Sequence, residues 1–118
     1  MMEIGRISAC IDGDARYTSV ITVVLLDDGS ARVERHETGA CGGMDGPGGS
    51  FDTGVRASRG LVKPTGPALV RAIKECFDMT IRAYGKPTKN FEWRIHGRSI
   101  AKGLSAAKAK LALAEARS

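Results

Sequence analysis

The stretch Tyr17–Leu26 constrains this chain more than any other part of it. Its β-branched residues Thr18, Val20, Ile21, Thr22, Val23 and Val24 are stiff at χ1 and favour an extended backbone. Because the run is nearly apolar on both faces, it predicts a central strand covered on each side. Asp28-Gly29 follows at once, the pair that tolerates positive φ in a two-residue hairpin turn. The chain should therefore reverse there into a third strand, Ala31–His36. That strand is mostly polar, so one of its faces is expected to meet water or a partner.

Before the run, Ile7, Ala9 and Ile11 alternate with Arg6, Ser8 and Cys10, the period-two pattern of a half-buried first strand over Glu3–Ile11. After the hairpin, residues 38–60 carry Gly39, Gly42, Gly43, Gly46, Gly48, Gly49, Gly54 and Gly60 with Pro47. Glycine loses the most backbone entropy on ordering, so this density predicts a long loop, anchored by Met44 and Phe51, with at most a short edge strand at Phe51–Ala57.

Thr65-Gly66-Pro67 reads as a helix start with Thr65 as the cap. Leu69, Val70, Ile73, Phe77, Thr80, Ile81 and Tyr84 then share one face, while Arg71, Lys74, Glu75, Asp78 and Arg82 form i,i+4 pairs on the other. Gly85 and Pro87 end it. Phe91, Trp93 and Ile95 alternate with Glu92, Arg94 and His96, which predicts a strand over Asn90–His96 with one face in the core. Ser99–Arg117, alanine-rich with Ile100, Leu104, Ala107, Leu111 and Ala114 at helical spacing, predicts a last helix. The expected fold is a single α+β domain over residues 1–118: a mixed or antiparallel sheet of four or five strands with two helices, in the order βββ(β)αβα.

The same order resembles the ribonuclease H-like fold. Cys10-Ile11-Asp12-Gly13-Asp14-Ala15-Arg16 is similar to the end of that family's first strand, and His96-Gly97-Arg98-Ser99-Ile100-Ala101-Lys102-Gly103-Leu104 to its fourth strand running into the next helix. The resemblance implies carboxylates converging from the first strand, the first helix and the end of the fourth strand to hold two divalent metals. Asp12 matches the first position. The helix position falls nearer Ala68 than Glu75, and His96 or Gly97 stands at the third, so what the resemblance implies is a relative without the catalytic set. The structural reading of Asp12 and Asp14 is as turn residues that bond their own backbone.

Other chemistry is incomplete as well. The glycine-rich segment holds neither a GxxxxGK[ST] loop nor a GxGxxG between strand and helix. Cys41, with His36 five residues earlier and His96 elsewhere, is the nearest approach both to a thiol–imidazole pair and to a metal site, but none of these residues has helical or CxxC spacing. Cys10 and Cys76 occupy places suited to small apolar residues. No catalytic residue, cofactor or metal is expected, and an odd number of cysteines without a CxxC pair fits reduced thiols. Met1–Arg6 has neither a basic nor an apolar leader character, and no apolar run approaches the ~20 residues of a membrane span, so a cytoplasmic location away from membrane is expected.

Charge is the remaining signal. Residues 1–81 hold nine Lys/Arg against eleven Asp/Glu, and residues 82–118 hold nine against two, so the net charge of +5 comes from a C-terminal third at +7. Arg94, Arg98, Lys102, Lys108 and Lys110 are the candidate contacts to a nucleic-acid backbone, with Trp93 or Tyr84 as stacking surfaces. The leading expectation is a non-catalytic protein that binds nucleic acid or a nucleoprotein complex. The alternatives are a small phage or mobile-element product that inhibits a host protein complex through its sheet edge and loop, and a divalent-metal nuclease of ribonuclease H type.

Overall fold

The computed structural model describes residues 2–12, 17–43, 46–78 and 91–117. Asp14, Arg16, Met44, Thr80, Ile81, Arg82, Tyr84, Gly85, Lys86, Pro87 and Lys89 lie outside the described residues, as do the side chains of Asp12, Tyr17, Cys41, Phe51 and Asp78. The element order is β1 (Glu3–Asp12), β2 (Tyr17–Leu26), β3 (Ala31–Gly43), β4 (Gly46–Leu61), α1 (Gly66–Asp78), β5 (Glu92–Ile95), β6 (Arg98–Lys102) and α2 (Ala106–Arg117). The fold is α+β as expected, but the sheet has six strands, in the order β4-β3-β2-β1-β5-β6, and every pairing is antiparallel.

The Tyr17–Leu26 run is an interior strand, flanked by β1 and β3, but helices cover only its Ile21, Val23 and Leu25 face and not both faces as expected; Thr18, Val20, Thr22 and Leu26 on the other face are half-buried. The hairpin forms, but through Asp27–Ser30 rather than a two-residue turn: Gly29 takes φ +88°, Asp28 keeps a negative φ, and Asp28 accepts hydrogen bonds from the backbone and hydroxyl of Ser30. Both helices cover one face of the sheet. There Ile7, Ala9, Ile11, Ile21, Val23, Leu25, Ala31 and Val33 meet Leu69, Ala72, Ile73, Cys76 and Phe77 of α1 and Ala109, Ala112 and Leu113 of α2.

Two further expectations are corrected. The described part of 38–60, residues 38–43 and 46–60, is strand and not loop: β3 and β4 pair through it, with Gly39 opposite Phe51, Ala40 opposite Ser50, Cys41 opposite Gly49 and Gly43 opposite Gly46. Glycine weakens a strand without forbidding it, and the ladder to β3, broken by register shifts between His36 and Thr38 and between Cys41 and Gly43, supplies the hydrogen bonds that the local sequence does not advertise. The short edge strand expected at Phe51–Ala57 is the middle of this sixteen-residue strand.

Ser99–Arg117 is not one helix either. His96 (φ 51°) and Gly97 (φ 79°) make a two-residue turn with positive φ at both positions, the geometry that returns a strand on itself, so Arg98–Lys102 pairs with β5. Gly103, at φ +87°, breaks the chain again, and the helix begins only after Ser105. Trp93 belongs wholly to the core, edge-to-face with Phe91 at 5.0 Å between ring centres, and its indole N–H donates to the Gly103 carbonyl at 3.2 Å. It offers no stacking surface.

Thr65 caps α1 as the sequence predicts: the Ala68 amide donates to its hydroxyl at 3.3 Å and the Leu69 amide to its carbonyl at 2.9 Å. Ser105 does the same for α2, receiving the Lys108 amide at 3.3 Å. The two helix starts touch, because a methyl group at Gly66 would overlap the Ala106 carbonyl. Backbone against backbone cannot yield as a flexible side chain does. Gly66→Ala is therefore expected to lower stability by about 1–3 kcal/mol, the usual cost of overpacking, measured as a lower urea midpoint at unchanged slope. An unchanged midpoint would show that the helices separate freely.

Candidate nucleic-acid interface

The helix-free face of the sheet is a grid set by strand register. One row runs Lys102, Glu92, Cys10, Val20, His36, Arg56, and the next runs Ser99, Arg94, Ser8, Thr22, Glu34, Ser58. A third holds Arg6, Val24, Arg32 and Gly60. This face is polar yet electrically compensated. Arg6 pairs with Glu3, Arg32 with Glu34, Arg56 with Asp52, which also sits 3.2 Å from the His36 imidazole, and Arg94 with Glu92 at 2.7 Å. Hydrogen bonds from Arg6 and from Arg94 hold Glu3 and Glu92 below the usual carboxylate range. The Arg6 and Arg32 side chains flank Val24, which is fully buried although no helix covers it.

The helix side distributes charge differently. Glu75 is taken by Arg59 of β4, at 3.3 Å, and not by its i−4 neighbour Arg71, which corrects that expected pair. Among the described residues, no carboxylate lies within ion-pair reach of Lys63, Arg71, Arg98, Lys108, Lys110 or Arg117, all of them exposed. The uncompensated cations thus sit on the helix layer and on the β5–β6 edge.

The five residues expected to act together are divided. Arg94 points to the helix-free face and is bound to Glu92. Lys102 stands across from Glu92 on the same face. Arg98 is exposed opposite Ile95, next to the hairpin turn. On α2, Lys108 sends its ammonium group to the Lys102 carbonyl. Lys110 is two residues on, about 200° around the helix, so these two lysines occupy opposite flanks. Sequence reasoning missed Lys63 and Arg71. The signal available for Arg71 was its place on the polar face of the first helix, hidden by the assumption that Glu75 would neutralise it.

Among the described residues, no group of three His, Cys, Asp or Glu side chains could hold a metal ion. His96 lies exposed in the β5–β6 turn, Ala68 is in the first turn of α1, and Cys76 is buried, with its thiol pushed up by burial. No described helix is long and apolar enough to cross a membrane. Compared with known families, curated proteins and solved structures, the chain matches none.

Proposed function

We propose that this chain binds the phosphate backbone of a nucleic acid through its helix layer and the β5–β6 edge, without catalysis. The observation that carries the reading is the separation of charge: the arginines of the helix-free face are absorbed in ion pairs, while Lys63, Arg71, Arg98, Lys108, Lys110 and Arg117 stand exposed without described carboxylates. Exposed cations that no described carboxylate neutralises are what releases counterions from a polyanion.

The sheet edges favour this over a partner that adds a strand. β6 is five residues long and bears Arg98 and Lys102. β4 is long but carries Pro47 and an irregularity opposite Glu37, and the half of β1 that β5 leaves uncovered has a bulge between Glu3 and Gly5. Short length, charge, proline and bulges are the devices by which edges resist pairing.

Affinity for DNA or RNA is expected to fall linearly on a log–log plot against salt, by about 10²-fold between 50 and 200 mM for roughly four phosphate contacts. Fluorescence anisotropy with duplex and single-stranded oligonucleotides measures this. No binding at low salt, or affinity indifferent to salt, overturns the reading.

A further inference from the structure

Resting on that reading, we infer that the target is double-stranded DNA and that α2 enters its major groove. α2 is twelve residues long, about 18 Å, and buries Ala109, Ala112 and Leu113 against the sheet. Directly opposite this buried stripe stand Ala107, Leu111 and Ala114, all exposed, with Leu111 at 46%. On one flank is Lys108, whose ammonium group also donates to the Lys102 carbonyl; on the other are Lys110 and, seven residues later, Arg117, whose guanidinium donates to the Gly29 carbonyl at 3.5 Å. An α-helix is about 10–12 Å across, which fits a B-form major groove about 12 Å wide. Cations on both flanks then face the two phosphate backbones that border the groove, while the short outward side chains let the helix approach the base edges. Thymine methyl groups are the apolar counterpart that alanine and leucine can touch.

Two further features agree with this placement. α1 packs beside α2 and shows Arg71 on its exposed side, where a neighbouring helix would cross the phosphate backbone. The second turn of the Lys108 flank ends in Glu115, so phosphate contact on that flank belongs to the first turn, at Lys108. The described aromatic side chains Phe77, Phe91 and Trp93 are all in the core, so among them none is placed to stack on the splayed bases of a single strand. Duplex RNA is excluded by shape, because its A-form major groove is too deep and narrow to admit a helix.

The test uses the intact chain and four ligands of equal length at low salt: duplex DNA, the same duplex with glucosylated hydroxymethylcytosines, duplex RNA, and single-stranded DNA. The sugar adds no charge and fills only the major groove. At least tenfold weaker binding of the glucosylated duplex and of duplex RNA is expected, and Lys110→Ala should lower the salt slope for plain DNA by about 1. If the glucosylated duplex or duplex RNA binds as tightly as plain DNA, or single-stranded DNA binds more tightly, the groove inference fails and backbone binding stands. If none of the four binds, both readings fail.

Discussion

Arg35→Met is expected to remove about 3–5 kcal/mol of stability, and Arg35→Met combined with Glu37→Leu to recover most of that loss. Arg35 and Glu37 follow Ala31 and Val33 on the helix-facing side of β3 and are themselves buried, with side-chain exposures of 0% and 1%. The guanidinium donates to the Ser19 hydroxyl at 3.1 and 3.2 Å and to the Glu37 carboxylate at 3.3 Å, and its central carbon lies 4.0 Å from the centre of the Phe77 ring. Burial lowers the arginine's pKa, yet an arginine so lowered is still charged at any ordinary pH. Removing the cation alone leaves a carboxylate in the core without its main counter-charge, and such a broken pair costs about 3–5 kcal/mol. Removing both leaves an apolar interior, commonly neutral to stability. Urea unfolding of the two variants decides it. A single variant within about 1 kcal/mol of the parent, or a double variant no better than the single, would show that the charge pair is incidental there.

That network also marks the limit of what the sequence could disclose. Alternation in β1 and β5 was legible because each has one face of apolar residues, β2 was legible as a strand from its β-branched run although not which of its faces the helices would cover, and α1 was legible from its apolar stripe and its Thr65 cap. In Ala31–His36 the alternation runs Ala, Val, Arg inward against Arg, Glu, His outward, so composition alone could not say that a charged pair faces the core. The β3–β4 ladder was hidden for a related reason. Its glycines carry no side-chain pattern, and its order comes from backbone pairing between residues up to thirty apart. At the C-terminus the local signal pointed the wrong way. Arg98–Lys102 has helix-compatible residues, and only the left-handed pair His96-Gly97 and the break at Gly103 turn it into a strand. The charge asymmetry was visible in the sequence, but not which cations would be neutralised, since most of the pairing carboxylates sit on the same or a neighbouring strand of the sheet.

Trp93→Ala is expected to cost about 3–5 kcal/mol, as large-to-small changes of a buried indole do, which is a large part of the 5–15 kcal/mol that holds a small domain together. Its ring is fully buried and packs on Phe91. Trp93→Phe is the more instructive change. It keeps an aromatic ring beside Phe91 but deletes the N–H that holds the Gly103 carbonyl, for a loss of about 1 kcal/mol beyond repacking. Gly103 is also fixed by its amide, which donates to the Phe91 carbonyl at 2.6 Å, and it is the left-handed residue between β6 and the Ser105 cap of α2. The indole therefore pins the junction that aims α2. If that helix carries the DNA contact, Trp93→Phe should weaken duplex binding several-fold while leaving the salt slope unchanged, because every surface cation is kept and only their placement is loosened. A variant that loses stability but binds duplex DNA as the parent does would show that the junction is structural alone and that α2 is not the element whose position matters.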